Sequence, residues 1–209
     1  MAGVPSGTPQ RVILASGSKA RRDMLRAAAV DFSLCTADVD EPALRAAMRA
    51  EHGDAVAPAD VALVLARAKA EAVSRLEPGA IVIGSDQVLA LGGALLSKPG
   101  DLARVGDQIV ALAGRTHELT SAVVTAVNGV AEWSAVDSAR LTMRAVSDQF
   151  VEAYVAACGE DVRHSVGAYH LEGLGVQLFE KIEGDYFTIL GMPLLPLLAE
   201  LRRRGVLMA

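Results

Sequence analysis

The sequence has few aromatic residues, and their scarcity excludes one class of function. Phe, Tyr and Trp make up 4% of the 209 residues, which leaves no stacking platform for single-stranded nucleic acid. The net charge of -5 argues against any nucleic-acid polymer as a partner, because proteins that bind one carry basic faces. A free nucleotide is not excluded, since its phosphates need only a few local cations.

Cysteines and long apolar runs are also scarce. Cys35 and Cys158 lie far apart and in neither a CxxC nor a metal-ligand spacing, so we expect free thiols and a cytoplasmic protein. No apolar run approaches the roughly 20 residues of a membrane span, and no membrane partner is expected. Residues 1–10 lack the basic start and apolar core of a signal peptide. We therefore expect a disordered tail at 1–10 and a single domain over residues 11–209.

Aliphatic residues are abundant, and one short run of them leads into polar side chains. The run Ile81–Ile83 predicts a short buried strand, and Ser85, Asp86 and Gln87 follow where we expect that strand to end. Polar residues there are costly unless they pair with something, and ligands of α/β sheets gather outside the carboxyl ends of strands. We take this stretch as the centre of a site, with a turn capped by Asp86 as the plainer alternative.

A strand, a small-residue loop and a helix open the domain in an order suited to phosphate binding. We predict a strand over residues 11–15, a loop over Ser16–Lys19 and a helix over residues 20–29. Such a loop presents backbone N–H groups and the positive end of the helix dipole to an anion. Arg21 and Arg22 lie in the first turn, where cations are badly placed for the dipole. They favour a bound anion, with two solvated arginines as the alternative.

Further charged residues stand where they could join the same site. Asp38, Asp40 and Glu41 place three carboxylates within four residues, a pattern suited to a hard divalent cation, although an acidic surface loop is the alternative. Lys69 lies on a long predicted helix, where most lysines are simply solvated. Lys98 ends a predicted hairpin, which places it near the base of the strand that carries Asp86.

The remaining pattern alternates strands and helices. Gly92-Gly93 and Asn128-Gly129 are tight-hairpin signals. Further strands are predicted at residues 31–35, 116–127, 130–144, 176–182 and 187–190, and further helices begin at Pro58, Asp101, Ser147 and Pro193.

Several short motifs stand in the order of a known family. They are Leu14–Leu25, Asp40-Glu41, Arg67–Ala70, Ser85–Gln87, Lys98-Pro99, Gly114–Thr120, Gly167–Tyr169, Glu172–Gly175 and Gly191–Leu194. Each motif is weak alone, but their common order is specific. The sequence resembles the Maf family of nucleoside-triphosphate pyrophosphatases over nearly its whole length, from Ile13 to about Arg203.

The resemblance implies a fold, a reaction and an assembly. The implied fold class is α/β and Maf/ITPase-like, with a long mixed curved sheet, helices, and two lobes around a central cleft. The implied reaction is hydrolysis of a nucleoside triphosphate between its α- and β-phosphates, with Mg²⁺ or Mn²⁺ as a divalent metal cofactor. Family members often pair, so we also expect a homodimer.

The resemblance also implies roles for individual residues. Asp86 is the expected proton acceptor for the attacking water, and Glu41 and Asp86 are the expected metal ligands. Lys69 and Lys98 are expected to neutralise charge on the leaving pyrophosphate. Because one carboxylate can serve as base or as ligand, both roles stay open for Asp86. The expected substrate-binding residues are Ser16, Ser18, Ala20, Arg21, Gln87 and Glu172.

Two positions bear on the choice of base. Asp86-Gln87 and Glu172-Gly173 resemble the branch of the family that acts on 7-methyl-GTP, whereas the branch acting on dTTP and UTP has Asp-Thr and Gln-Gly. A carboxylate such as Glu172 can accept hydrogen bonds from the N1–H and amino group of a guanine, and it favours the added charge of 7-methylation. Ala20 departs from both branches, which have an aromatic residue or arginine there, so a stacking surface is missing.

These observations leave several functions open. The first is house-cleaning hydrolysis of a modified nucleotide, with 7-methyl-GTP as the expected substrate and a dTTP/UTP pyrophosphatase as the alternative. A septum-formation or cell-division regulator acting through a binding partner is the alternative outside the enzyme class. A non-catalytic nucleotide-binding module is disfavoured, because a binder has no need of Glu41, Lys69, Asp86 and Lys98 together.

Overall fold

The computed structural model describes residues 10–53 and 56–208, and within them the chain folds around one seven-stranded sheet. The strands are β1 (Val12–Leu14), β2 (Ser33–Leu34), β3 (Ile81–Leu91), β4 (Ala94–Leu96), β5 (Thr116–Val127), β6 (Val130–Met143) and β7 (Phe179–Glu183). The α-helices are α1 (Lys19–Ala27), α2 (Glu41–His52), α3 (Pro58–Leu76), α4 (Ala103–Leu112), α5 (Asp148–Ala157), α6 (Tyr186–Ile189) and α7 (Leu194–Arg203). The predicted α/β class is confirmed, while residues 1–9 of the predicted tail lie outside the described residues.

The sheet is mixed in strand direction. Its order is β2-β1-β3-β5-β6-β7, and β4 pairs with the last residues of β3. β1 is parallel to β2 and β3, whereas β3 is antiparallel to β4 and β5. β1 pairs with β3 only from Val12 opposite Ile81 to Leu14 opposite Ile83. β3 therefore runs on past the carboxyl end of β1. Along this edge, residues 84–88 of β3 pair with no strand among the described residues.

β3 is longer than the sequence predicts. The strand spans 11 residues, so Ser85–Gln87 lie in its middle and not after its end. The cause is β5, which pairs with β3 at each position from Val82 to Ala90. Because β5 satisfies the main-chain hydrogen bonds there, the strand continues through residues whose side chains are polar.

β5 and β6 form the long hairpin that the sequence predicts. They span 12 and 14 residues, and Asn128 and Gly129 join them with φ of 51° and 83°. Positive φ at both central residues is the requirement of the tight turn that suits twisted strands.

One predicted strand is a helix. The sequence predicts a strand at residues 187–190, but Tyr186–Ile189 form α6. The side chain of Asp185 accepts a hydrogen bond from the N–H of Thr188 at 2.9 Å, which caps a helical turn that the apolar composition does not indicate. The strand predicted at 176–182 likewise begins late, as β7, because a 3-10 helix precedes it.

Helices cover both faces of the sheet. α3 packs along β3 and β5 on one face, and α1 and α7 pack against β1 and β3 on the other. α4 and α5 cover the last part of β3 together with β5 and β6. None of the helices described has the length and apolar character that crossing a membrane requires.

Candidate active site

A cavity of about 1570 Å³ opens beside the middle of β3. Its walls come from the loop after β1, from α1, α2 and α3, and from the segment between α5 and β7. The residues to which the family resemblance gives a role all line it: Ser16, Ser18, Ala20, Arg21, Glu41, Lys69, Asp86, Gln87, Lys98 and Glu172. The fold therefore brings together side chains that are as much as 156 positions apart in the chain, from Ser16 to Glu172.

Two ion pairs through one lysine form the centre of the cavity. Lys69 Nζ lies 2.6 Å from Asp86 Oδ1 and 2.7 Å from Glu41 Oε1. Asp86 is only 6% exposed, and a carboxylate so far from water needs a close cation. Lys69 is thus not a solvated helix residue, since it links β3 to the first residue of α2.

A glycine allows α3 to approach the sheet closely enough for this contact. A Cβ on Gly84 would lie 2.3 Å from the carbonyl oxygen of Ala66 and 2.8 Å from Cβ of Ala70. Gly84 and Asp86 are two residues apart on one strand, so they face the same side. The missing side chain of Gly84 therefore sets the distance at which Lys69 meets Asp86.

The predicted cluster of three carboxylates does not act as one unit. Asp40 caps α2, because its Oδ1 accepts a hydrogen bond from the N–H of Ala43 at 2.9 Å. Glu41, the next residue, turns to Lys69 instead. Within residues 10–53 and 56–208, no three His, Cys, Asp or Glu side chains are grouped as a metal site would require. Of the three carboxylates, only Glu41 lines the cavity.

The electrostatics favour an ionised Glu41. Burial raises the pKa of its carboxyl, but the hydrogen bond from Lys69 and the charges of Lys98 and Arg45 outweigh burial and leave the pKa below its ordinary value. Glu41 is therefore an anion at neutral pH and can accept hydrogen bonds or a cation.

Sequence reasoning missed one cation of the site, Arg45. It lies on α2 four residues after Glu41, and its Nη2 is 3.8 Å from Asp86 Oδ2. Residues four apart share a helix face, so the spacing from Glu41 was the available signal. The signal was lost because residues 43–57 predict only a short helix followed by a loop.

The loop after β1 is arranged as an anion site. Ser18 caps α1 by accepting a hydrogen bond from the N–H of Arg21 at 3.4 Å. Ser16 Oγ accepts hydrogen bonds from the N–H of Ser18 and from Arg21 Nη1, each at 3.2 Å. The amino end of a helix and its loop N–H groups thus face the cavity, which is the arrangement that binds phosphate oxygens.

Arg21 fixes that loop to the rest of the site. Its Nε donates to the carbonyl of Gly191 at 2.8 Å and its Nη1 to the carbonyl of Ser85 at 2.9 Å. Burial lowers its pKa, and the negative charges of Asp86 and Glu41 oppose that shift. A guanidinium carries further N–H donors, so Arg21 can hold the loop and still donate to an anion.

Lys98 adds a second ammonium beside the carboxylates. It follows β4 and lines the cavity, as the predicted hairpin requires. Burial lowers its pKa, the charge of Arg21 lowers it further, and Asp86 opposes the shift. A negative ligand in the cavity would therefore favour the charged form of Lys98.

The two residues predicted to meet the base also line the cavity. Gln87 Nε2 donates to the carbonyls of Thr188 and Ile189, at 3.1 and 2.9 Å, so its amide hydrogens are engaged with α6 and its oxygen remains. Glu172 is exposed on a tight turn. The pKa of Lys19 is raised by Asp23 and, more weakly, by Glu172. Glu172 therefore lies at the end of the cavity near the first turn of α1.

The sequence comparisons assign the chain to a family. A family model described as Maf-like protein matches residues 11–204. The chain belongs to the Maf family. It is 50% identical over 198 residues to the 7-methyl-GTP pyrophosphatase of Mesorhizobium japonicum, covering 95% of this chain and 98% of that protein. It is 51% identical over 191 residues to the nucleoside triphosphate pyrophosphatase of Bradyrhizobium diazoefficiens, covering 91% and 92%. The 7-methyl-GTP pyrophosphatase of Brucella suis is 48% identical over 193 residues, covering 92% and 96%.

The Maf cavity contains residues that fit a divalent cation. Asp86 Oδ2 is buried and receives no hydrogen bond, which leaves an acceptor of the hard type that Mg²⁺ prefers. Glu41 is held next to it through their shared bond to Lys69. Two carboxylates are a usual protein contribution for such an ion, since substrate phosphates and water complete its shell.

Proposed function

We propose that this Maf protein hydrolyses a nucleoside triphosphate between the α- and β-phosphates, releasing a monophosphate and pyrophosphate, with 7-methyl-GTP as the substrate. The carrying observation is the junction of Asp86, Lys69 and Glu41 inside a cavity that also holds Lys98 and the Ser16–Ser18 loop. The names of relatives at about half identity support the same activity.

Asp86 acts on the attacking water in this proposal. Its Oδ2 is a buried acceptor without a hydrogen-bond donor, so a water molecule in the cavity can donate to it. Its Oδ1 is fixed by Lys69 at 2.6 Å, which holds the carboxylate in one orientation. A general base needs both properties, a free acceptor and a fixed position.

The phosphate chain is held by cations and by the amino end of α1. The Ser16–Ser18 loop and Arg21 bind phosphate oxygens. Lys69 and Lys98 stabilise the negative charge that develops on the leaving pyrophosphate. Because these donors are already in place before substrate arrives, little reorganisation is needed during the reaction.

Glu41 and Asp86 would hold the divalent cation, Mg²⁺ or Mn²⁺. When bound, it supplies Lewis-acid stabilisation of charge on the phosphates. Glu41 is suited to this task because its lowered pKa keeps it ionised.

The base is read by the turn that carries Glu172. Glu172 accepts hydrogen bonds from N1–H and the amino group of guanine, and its charge favours the cationic ring of a 7-methylated base. Pyrimidines such as dTTP and UTP present no such pair of donors. Ala20 offers no aromatic face, so recognition depends on the carboxylate more than on stacking.

A nucleotide panel tests the proposal. The purified protein is incubated with magnesium and 7-methyl-GTP, GTP, dTTP or UTP, and released pyrophosphate is measured. We expect the highest kcat/KM for 7-methyl-GTP. A preference for dTTP or UTP contradicts the substrate, and no turnover of any nucleotide contradicts the activity and favours a partner-binding role such as cell-division regulation.

We also propose that the protein is a homodimer in the cytoplasm. Cys35 and Cys158 are free thiols, which suits a reducing compartment. Light scattering after size exclusion measures the assembly, and a monomer mass at every concentration contradicts the dimer.

A further inference from the structure

One wall of the cavity is a loop whose position is held by contacts with buried side chains. This segment, residues 165–175, is called the 165–175 loop; it follows the 3-10 helix Glu160–His164 and includes the first two residues of the 3-10 helix Leu174–Leu178. It carries Glu172 at its exposed turn and Tyr169 in its buried part. Only residues 172–174 of this loop are exposed, so the contacts of its buried part determine where Glu172 lies.

The main contact that holds this loop is a hydrogen bond between two buried ring side chains. His117 of β5 and Tyr169 are 2% and 4% exposed, and His117 Nε2 lies 2.7 Å from the hydroxyl oxygen of Tyr169. The ring of Phe179 packs edge-on against Tyr169, with centroids 4.8 Å apart. Tyr169 lines the cavity, whereas His117 is not among the lining residues and meets the loop through Tyr169.

The backbone around Tyr169 is held in a strained shape. Ala168 has a φ of 59°, which is unfavourable for a residue with a side chain. Tyr154 donates to the carbonyl of Ala168 at 3.1 Å, and Ser165 donates to the carbonyl of Tyr169 at 2.8 Å. A Cβ on Gly167 would lie 2.2 Å from the Tyr169 ring. These contacts restrict both the position of the Tyr169 ring and the conformation of the backbone next to it.

The fixed ring is directly coupled to the turn that carries Glu172. That turn is closed by a hydrogen bond from the N–H of Gly173 to the carbonyl of His170 at 3.2 Å. A Cβ on Gly175 would lie 2.9 Å from Cβ of Tyr169, so the far end of the loop rests on the same residue. A displacement of Tyr169 would move both ends of the turn.

His117 itself is costly for the fold. Its Nδ1 is buried and has no hydrogen-bond partner, and such a group destabilises the native state. The mechanism proposed for Asp86, Lys69 and Glu41 makes no use of it. Strained and under-satisfied groups of this kind cluster where function requires a fixed geometry.

We infer that His117, acting through Tyr169, is a positioning residue for base selection: it holds the 165–175 loop so that Glu172 faces the base of the bound nucleotide. The inference rests on the proposed function for its choice of base. It adds that selectivity is determined partly by a residue that does not touch the substrate.

Replacement of His117 provides the kinetic test. His117→Leu removes the bond to Tyr169, while His117→Gln keeps a polar group able to bond the hydroxyl. We expect His117→Leu to lower the kcat/KM preference for 7-methyl-GTP over GTP about three- to tenfold, through KM, with kcat nearly unchanged. His117→Gln should restore most of the preference. Equal losses for both nucleotides, or a loss confined to kcat, overturn the inference. If His117→Leu does not fold, Tyr169→Phe removes the same bond.

Thr120→Val is the matched control. Thr120 lies on the same strand, is 1% exposed, and its hydroxyl bonds to Ser138 Oγ at 2.8 Å. It points to the face opposite His117, because side chains alternate along a strand. Its replacement removes this hydrogen bond and a second one, from the Thr120 hydroxyl to Glu118 Oε1 at 3.1 Å, so it should lower stability and leave the nucleotide preference unchanged. A matching change of preference in Thr120→Val overturns the inference.

A double substitution tests whether the effect passes through Glu172. If it does, His117→Leu combined with Glu172→Gln loses no more preference than Glu172→Gln alone. Additive losses indicate independent actions and overturn the proposed route.

Hydrogen exchange tests the positioning without any substrate. Amides 166–175 should exchange faster in His117→Leu than in the wild type, and no faster in Thr120→Val. If the exchange rates of amides 166–175 in His117→Leu equal those of the wild type, the inference is overturned, and this result does not depend on any enzymatic activity. If the proposed function is wrong, the wild-type protein turns over no nucleotide, so the two failures can be distinguished.

Discussion

Two parts of the cavity, here called the phosphate end and the base end, are built in different ways. At the phosphate end, Asp86, Lys69 and Glu41 lie on β3, α3 and α2, and Lys69 pairs with Asp86 at 2.6 Å and with Glu41 at 2.7 Å. At the base end, Glu172 is exposed on a loop, which His117 and Tyr169 hold from behind. The first end is fixed by secondary structure, and the second by side-chain hydrogen bonds to a loop.

This difference matches the demands of the two tasks. Phosphoanhydride hydrolysis needs its groups in one geometry, and displacement by about 1 Å can cost about 100-fold in rate. Base recognition tolerates graded change, because loops on a rigid scaffold can vary while the scaffold stays the same. Substitutions at the phosphate end should therefore abolish turnover, and those at the base end should shift selectivity.

The largest effect is expected from Asp86→Asn. The change is nearly isosteric and removes only the charge, so the proposed base is lost while the fold is kept. We expect the rate to fall by about 10²–10⁴-fold, measured as pyrophosphate release with circular dichroism to check folding. The control is Asp137→Asn, an exposed carboxylate on β6 that bonds to Thr188 and should leave the rate unchanged. More than roughly a tenth of the wild-type rate in Asp86→Asn contradicts the assignment.

The next largest effect is expected from Gly84→Ala. The added Cβ would overlap the backbone of Ala66, so α3 must move away from β3 and carry Lys69 with it. We expect a loss of about 1–3 kcal/mol in the free energy of unfolding and a rate reduced about 100-fold. Chemical denaturation and kinetics measure the two effects.

Gly106→Ala is the matched control for that substitution. A Cβ on Gly106 would lie 3.6 Å from the Val151 side chain, an ordinary contact. Alanine is also favoured over glycine inside a helix such as α4, by about 0.8–1 kcal/mol. Gly106→Ala should therefore be stabilising. If both variants behave alike, the close approach at Gly84 has no special importance.

The phosphate end was more accessible to sequence reasoning than the base end. Polar residues next to an aliphatic run indicated Asp86, although its place in the middle of β3 depends on the pairing with β5, a contact between segments distant in the chain. The lengths of β5 and β6 followed from alternation and from Asn128-Gly129. The bridge through Lys69 could not be predicted, because it depends on the approach of α3 at Gly84.

At the base end, local patterns carried less information. The helix α6 depends on the cap from Asp185, and the shape of the 165–175 loop depends on contacts with His117 and Tyr154. These loop contacts join residues about 15 to 50 positions apart, so the local spacing of apolar residues does not predict them. The resemblance indicated Glu172 as a residue of interest, but not what holds it in place.

The two ends should affect the free energy of unfolding in different pH ranges. Burial lowers the pKa of His117 from 6.5 to about 4, so the folded state binds this proton less readily than the unfolded state. The stability is complete above the unfolded pKa and falls as pH drops toward the folded one, by about 3 kcal/mol in total. Glu41 acts in the same direction, but only below its ordinary pKa of 4.5.

Unfolding curves between pH 7 and pH 4 measure this dependence. His117→Gln removes the titrating group, so its stability should change less than that of the wild type between pH 6.5 and 5. Parallel pH profiles for the two proteins contradict a buried neutral His117.

A smaller effect on rate is expected from Glu172→Gln. Loss of the charge should cost about 1–3 kcal/mol of discrimination between 7-methyl-GTP and GTP, while kcat stays near the wild-type value. Competition assays with both nucleotides measure the preference. Glu160→Gln is the control, since Glu160 is an exposed carboxylate that pairs with Arg163 outside the cavity. Unchanged selectivity in Glu172→Gln removes Glu172 from base recognition.

The smallest effect is expected from Arg45→Gln, and it sharpens the comparison at a single carboxylate. Arg45 is 3.8 Å from Asp86 Oδ2 and its side chain is 36% exposed, whereas Lys69 is 2.6 Å from Asp86 Oδ1 and 19% exposed. Asp86 is buried, but the charged end of Arg45 is partly exposed to solvent and beyond hydrogen-bond distance, so this pair should contribute only about 0–1 kcal/mol. We therefore expect Arg45→Gln to change KM by no more than about fivefold. Salt screens exposed charges, and the difference from wild type should therefore shrink as ionic strength rises. Lys69→Gln should abolish turnover at every salt concentration. If Arg45→Gln abolishes turnover too, Arg45 is a catalytic residue. The difference in burial between Arg45 and Lys69 then does not determine which of them the reaction needs.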